Sequence, residues 1–208
     1  MTKPILYHCA DARSFRCLWA AEEAGFDLEL VTLPFPPRFH RPDYKEINPL
    51  GTIPGWVEGD VVMTESAAIC QRIAAGTPLE VTPDEPDFWR YLNWLHQSDA
   101  TFTFPQTIVL RYRQFEPAKG LGQAADDYAE WFHGRMRIVE TALADGREFL
   151  CAGRFTIADI CVGYAVMLSR AVGIAEGLGP HTVAWYDRLK ARPGYRSAKA
   201  RQAGGGSE

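Results

Sequence analysis

The feature that most constrains this chain is a change of hydrophobic period part-way along it. Before about residue 76 the apolar residues come in short runs broken by turn signals; beyond about residue 86 they recur only at helical spacing. Ile5-Leu6-Tyr7 is short and wholly apolar, which suits a buried central strand. Ser14 to Ala24 is rich in Ala, Leu and Glu and stops at Gly25, a residue suited to the position just past a helix. Leu28 to Leu33 reads as a second strand, so the three pieces form a βαβ unit with an expected right-handed crossover. The turn-rich Pro34-Phe35-Pro36-Pro37 leads to a short helical piece around Asp43 to Ile47. Trp56-Val57-Glu58 and Val61-Val62-Met63 flank Gly59-Asp60, a strong hairpin signal. Thr64 is then placed to cap a helix whose apolar face is Ile69, Cys70, Ile73 and Ala74.

After the Pro- and acid-rich Gly76 to Pro86, Phe88, Tyr91, Leu92 and Leu95 fall on one helical stripe. Ala125, Tyr128, Ala129, Phe132, Met136, Val139 and Leu143 make a second, and Ile157, Ile160, Cys161, Tyr164, Ala165 and Leu168 a third, as in a helical bundle. Thr156 three residues before Asp159 has the spacing of a capping box. The expected organisation is an α/β domain over residues 1–77, a linker over 78–86, an all-α domain over 87–203 and a flexible tail over 204–208. The basic residues Arg188, Lys190, Arg192, Arg196, Lys199 and Arg201 read as a solvated face of the last helices.

Composition excludes several classes. With 47% hydrophobic residues and 23% charged, the chain is neither disordered nor fibrous. A net charge of −4 gives no pull toward nucleic acid or an anionic membrane. The longest apolar run, Ile160 to Leu168, is far short of the roughly 20 residues of a spanning helix. The first residues lack the pattern of a signal peptide, and the five cysteines have no C-x-x-C spacing. The expectation is a cytoplasmic protein with reduced thiols, no metal, and neither nucleic-acid nor membrane partners.

Four places are chemically suggestive. Pro54 cannot donate to a ladder, so it starts or edges its strand; the loop it stiffens is either a plain turn or leaves the backbone of Ile53 free for an extended peptide-like ligand. Glu65 and Ser66 open a helix, where N–H groups and a hydroxyl can receive a carboxylate and Glu65 an ammonium, or where they serve only the helix start. His8-Cys9-Ala10-Asp11-Ala12-Arg13-Ser14 forms the first βα turn, at the end of a central strand where open α/β sheets bind ligands; Asp11 or Ser14 can equally just cap the helix. Asp99 interrupts the apolar stripe Leu92, Leu95, Phe102, so it is either edge-exposed or faces a cavity or interface.

In this order the motifs resemble those of the cytosolic glutathione S-transferase superfamily over essentially the whole chain, in the manner of bacterial theta- or zeta-like members. The residues that carry the resemblance are Leu6-Tyr7, Arg13-Ser14-Phe15-Arg16-Cys17-Leu18-Trp19 with Glu22-Glu23-Ala24-Gly25, Ile47-Asn48-Pro49-Leu50-Gly51-Thr52-Ile53-Pro54, Glu65-Ser66-Ala67-Ala68-Ile69 and Phe155-Thr156-Ile157-Ala158-Asp159. The resemblance implies a thioredoxin-like α/β domain followed by the family's helical bundle, with glutathione as co-substrate and a homodimer as the assembly. It implies a cis Pro54, backbone pairing of Ile53 with the cysteinyl part of glutathione, and Glu65 and Ser66 at its γ-glutamyl end. Arg13, His40 and Asp99 complete the expected glutathione set, and Phe102, Phe104 and Tyr112 an apolar pocket for the electrophile. Serine-type members place their activating serine where this chain has Ala12. The thiol-activating group is therefore Ser14, Tyr7 or the first helix's backbone N–H groups, with Ser14 favoured. The implied activity is conjugation of glutathione to a small hydrophobic electrophile, as in detoxification. The alternatives are a glutathione-dependent lyase, isomerase or peroxidase, or a non-enzymatic binding module.

Overall fold

The computed structural model describes residues 3–204, so most of the expected tail lies outside the described residues. The chain forms two compact units, residues 1–80 with 190–208, and residues 81–189.

The first unit is built on a four-stranded sheet of order β2-β1-β3-β4. Strand β1 (Ile5–His8) pairs parallel with β2 (Glu29–Thr32) and antiparallel with β3 (Gly55–Glu58), and β3 pairs antiparallel with β4 (Val61–Met63). Helix α1 (Ser14–Ala24) makes the crossover and ends at Gly25, whose φ of 62° is one that a residue with a Cβ seldom adopts. Helix α3 (Ser66–Ala74) follows the hairpin, and α1 packs along it. Leu6, Phe15, Leu18, Trp19, Trp56, Ile69 and Ile73 are all buried in this unit. This is a thioredoxin-like arrangement.

Local differences from expectation have local causes. A short helix α2 (Pro37–His40) occupies part of the segment read as turns, with Pro at its start, where no N–H is required. The next piece is 3-10 rather than α-helical, over Pro42–Glu46. Thr64 does not cap α3; the N-cap position is Glu65, in extended conformation with no side-chain cap bond, which moves the helix start one residue along and puts Ser66 in its first turn.

The second unit contains α4 (Phe88–Gln97), α5 (Phe104–Leu110), α6 (Gly122–Leu143), α7 (Ile157–Ala171) and α8 (Pro180–Lys190). Between α4 and α5 the chain runs as a π-helix over Ser98–Thr103. Pro105 supplies the reason. Its ring cannot sit against a carbonyl one α-turn back, so the ladder widens, and the Phe104 N–H reaches Asp99 O instead. Thr156 and Asp159 form the expected capping box at the start of α7, with the Thr156 N–H donating to Asp159 Oδ2 at 3.0 Å. The linker region is ordered by the helical unit. Arg154 donates to both oxygens of Glu85, at 2.7 and 2.8 Å, and the Ala152 N–H donates to Asp87 at 2.7 Å. No helix among the described residues is long and apolar enough to cross a membrane.

Helix α9 (Pro193–Gly204) belongs to the first unit, not to the bundle, and packs along α1. Tyr195 sets its ring edge-on to Phe15 and Trp19, at 5.4 and 4.9 Å between centroids. The basic residues read as a solvated face are partly spent on α1 and the turn before it. Arg192 donates to both oxygens of Glu23, Arg201 pairs with Glu22, and Lys199 pairs with Asp11. Gly194 makes the approach possible, since a Cβ there would lie 2.6 Å from the Glu23 carboxyl carbon.

Candidate active site

The residues expected to form the site fall in two groups. Tyr7, Arg13, Ser14, His40, Ile53, Pro54, Glu65 and Ser66 lie in the first unit, and Asp99, Phe102 and Tyr112 in the second.

Ile53-Pro54 is cis, and Ile53 sits just outside the ladder, which begins at Gly55 opposite Tyr7. Its loop is fixed from below by two side chains that converge on one carbonyl. Asn48 Nδ2 donates to Thr52 O at 2.8 Å and the Tyr44 hydroxyl donates to the same oxygen at 2.9 Å. Asn48 Oδ1 also accepts the Leu50 N–H, and Asn48 is wholly buried. Gly55 is required at this place, because a Cβ there would meet the Tyr44 hydroxyl at 2.3 Å. The sequence marks this loop by its Pro and Gly residues, but nothing in it identifies Tyr44 as the brace.

Ser66 is 2% exposed, and its hydroxyl accepts a hydrogen bond from Arg16 Nη1 at 3.0 Å. Arg16 is itself fully buried on α1, so it ties the start of α3 to that helix and leaves the Ser66 proton available to another acceptor. Glu65, one residue before, is exposed. A hydroxyl donor, helix N–H groups and a neighbouring carboxylate are a suitable receptor for an α-amino acid end.

The first βα turn departs from expectation. The Ser14 side chain is completely buried; its oxygen lies 2.8 Å from His8 Nδ1, accepts the Cys9 N–H at 3.2 Å and lies 3.3 Å from Cys9 O. The hydroxyl is engaged within the turn itself, an arrangement that runs against the expectation of Ser14 as the activating donor. The cause is its place as the first residue of an α1 whose inward face begins there. His8 is equally buried, and burial pulls its pKa down to about 4, so the ring is neutral. Burial pushes the Cys9 thiol up to about 12, which disfavours its thiolate. Tyr7 is half-buried with its ring tilted against Tyr44 at 5.4 Å.

Backbone donors remain. The N–H groups of Ala12, Phe15 and Arg16 bond to Cys9 O, Ala12 O and Arg13 O, and the Ser14 N–H takes no part in these turn bonds. The side chain of Arg13, the N-cap residue, makes no cap bond to this helix start. Arg13 is half-buried at the N-cap, and His40 is exposed at the end of α2.

In the second unit, Asp99 is half-buried on the π-helical segment. Phe102 has no exposed surface and packs on Trp94 at 6.3 Å, so it is core rather than pocket lining. Tyr112 is half-buried under the Arg111 guanidinium, and Phe104 is 52% exposed.

Family models of the glutathione S-transferase N-terminal and C-terminal domains match residues 12–75 and 121–188. The chain belongs to the glutathione S-transferase family. It is 28% identical over 188 residues to glutathione S-transferase 3 of Zea mays, covering 86% of this chain and 84% of that one. It is 41% identical over 198 residues to glutathione S-transferase 1 of Triticum aestivum, covering 86% and 85%. Among solved structures it is similar to a glutathione transferase from Phanerochaete chrysosporium determined with oxidized glutathione, at a TM-score of 0.82 and 20% identity over 98% of this chain and 96% of that one. None of these three names carries a theta or zeta designation. This glutathione transferase thus keeps the fixed cis-Pro loop and the Arg16-supported Ser66, but has no hydroxyl in the serine slot at Ala12. Among its described residues no group of three or more His, Cys, Asp or Glu side chains is placed to hold a metal.

Proposed function

We propose that the first unit binds glutathione and that the enzyme conjugates its thiolate to a small hydrophobic electrophile. The observation that carries the reading is the pairing of a cis Ile53-Pro54 loop with a buried Ser66 hydroxyl whose lone pair is already taken by Arg16. The loop offers backbone to the cysteinyl residue. Ser66 donates to the γ-glutamyl carboxylate, with Glu65 beside it for the ammonium. The sulfur is then presented to the uncapped start of α1. The Ser14 N–H and the helix dipole favour the charged form there, with Ala12 supplying nothing and the Ser14 side chain acting only as a strut. The thiolate attacks the electrophilic carbon, the carbon–sulfur bond forms, and the leaving group departs with its electron pair.

Calorimetry on Ser66→Ala tests the binding half. Losing a hydrogen bond to a charged group costs about 1.5–3 kcal/mol, or roughly 10- to 100-fold in affinity. An unchanged dissociation constant removes Ser66 from the site. Turnover of a chloronitrobenzene with glutathione tests the chemistry; activity only on peroxides or thioethers moves the assignment to a peroxidase or lyase. In the same reading the enzyme is a homodimer in which Asp99 receives the ammonium of glutathione held by the partner subunit. Sedimentation that finds only monomer at micromolar concentration, or intact glutathione affinity in Asp99→Asn, ends that part.

A further inference from the structure

Asp11 stands in the middle of the β1–α1 turn with φ at 57°. This left-handed conformation is uncommon for a residue with a Cβ, though Asp adopts it more readily than most, and here hydrogen bonds hold it. The hold comes from the opposite end of the chain. Gln202 Nε2 donates to Asp11 Oδ1 at 2.7 Å, and Gln202 Oε1 accepts the Asp11 N–H at 3.2 Å. One carboxamide therefore grips both the backbone and the side chain of one residue, which fixes its orientation as a single ion pair cannot. Gln202 is only 8% exposed, and Lys199, one turn earlier on α9, donates to the same Asp11 oxygen. From the inner side the turn is tied by His8 and Ser14. Asp11 is thus pinned on one side by the sheet and on the other by α9.

The consequence lies in what activates the sulfur. A hydroxyl donor can adjust its rotamer to a ligand, but a backbone N–H points where the turn points it. With Ala12 in the serine slot, turn geometry itself is the activating device. We propose that Gln202 is a positioning residue: its grip on Asp11 aims the Ser14 N–H, at the start of α1, at the glutathione sulfur. The inference rests on the glutathione reading above and adds to it a residue 191 positions from the turn it controls.

The test uses the full chain with glutathione, titrating thiolate absorbance of the complex and measuring conjugation across pH. Gln202→Met keeps the length and bulk of the side chain and removes both hydrogen bonds. The expected result is a bound-thiol pKa about one unit higher and a kcat about tenfold lower near neutral pH. KM for glutathione should stay within about twofold, because Ser66 and Ile53 are untouched. At a pH above the shifted pKa, kcat should return to the wild-type value, a recovery that damage to the fold would not produce. Asp11→Ala, which removes the side-chain half of the same contact together with the Lys199 pair and keeps the backbone half, should shift the thiol pKa in the same direction. An unchanged thiol pKa in both variants, or a loss of kcat that persists at high pH, overturns the positioning role while the glutathione reading stands. Wild-type protein that forms no thiolate with glutathione overturns both.

Discussion

Burial at the end of β1 gives His8 a proton affinity unlike that of a free histidine. Its folded value of about 4 lies below the usual 6.5, so between those limits the unfolded chain binds a proton that the folded chain does not. Its contribution to stability is complete above about pH 6.5 and is lost as the pH falls toward 4, by up to about 3 kcal/mol. Asp159 acts with the opposite sign in an overlapping window. Burial raises it to about 6, the folded state holds its proton more tightly, and its contribution declines as the pH rises from about 4 to 6. A wild-type profile alone mixes the two, so the informative quantity is a difference. We expect His8→Gln to lose less stability than wild type between pH 7 and 4.5, read from urea unfolding at each pH. Parallel profiles would show that His8 is not the titrating group. The same burial turns Ser14, the best hydroxyl by sequence position, inward to His8: side-chain direction at the first residue of a helix is set by which face is packed, and no local motif states it.

At the scale of elements, the start of α7 shows a motif that reads correctly from spacing and then does more than its spacing implies. Thr156 and Asp159 close the capping box, but Asp159 Oδ1 also accepts the Leu150 N–H at 3.0 Å and the Trp185 indole N–H at 3.3 Å. One buried carboxylate therefore joins the incoming loop, α7 and α8. Thr156→Ala loses a cap, worth about 1 kcal/mol. Asp159→Asn preserves shape but turns an NH2 toward an N–H donor, leaving buried donors unpaired at a cost of about 3–5 kcal/mol. Denaturant unfolding of the two variants should rank them in that order, and equal losses would mean that Asp159 serves the cap alone. The π-helix before α5 is the contrasting case. Pro105 is visible in the sequence as a disturbance, but whether the chain kinks, breaks or widens depends on the packing around it. Here it widens, and Phe102 turns from expected pocket lining into core.

The assignment of α9 is decided at the scale of the whole molecule. Its polarity and its position after the bundle helices place it by sequence with the helical domain, yet Tyr195 is an aromatic anchor on Phe15 and Trp19 of the first unit. Truncating a buried aromatic costs about 3–5 kcal/mol. Tyr195→Ala should therefore accelerate amide hydrogen exchange across α1 and leave the core of α7 protected. The reverse pattern would return α9 to the bundle.

By itself the sequence determined the elements whose signals are contiguous. Helix α1 runs from Ser14 to its Gly25 stop, the hairpin turns at Gly59-Asp60, a Pro- and Gly-rich loop precedes β3, and the capping box starts α7, because turn chemistry and hydrophobic period are written in neighbouring residues. Ile53, Pro54 and Ser66 were legible as candidate site residues for the same reason. Only the tertiary structure decided where isolated polar groups spend their hydrogen bonds. Ser14 turned inward to His8, Arg16 to Ser66, Arg201 to Glu22, and Gln202 to Asp11. Each of these bonds satisfies a buried or half-buried group that would otherwise lose its water without replacement, and the partner that does so is fixed by packing, not by proximity along the chain.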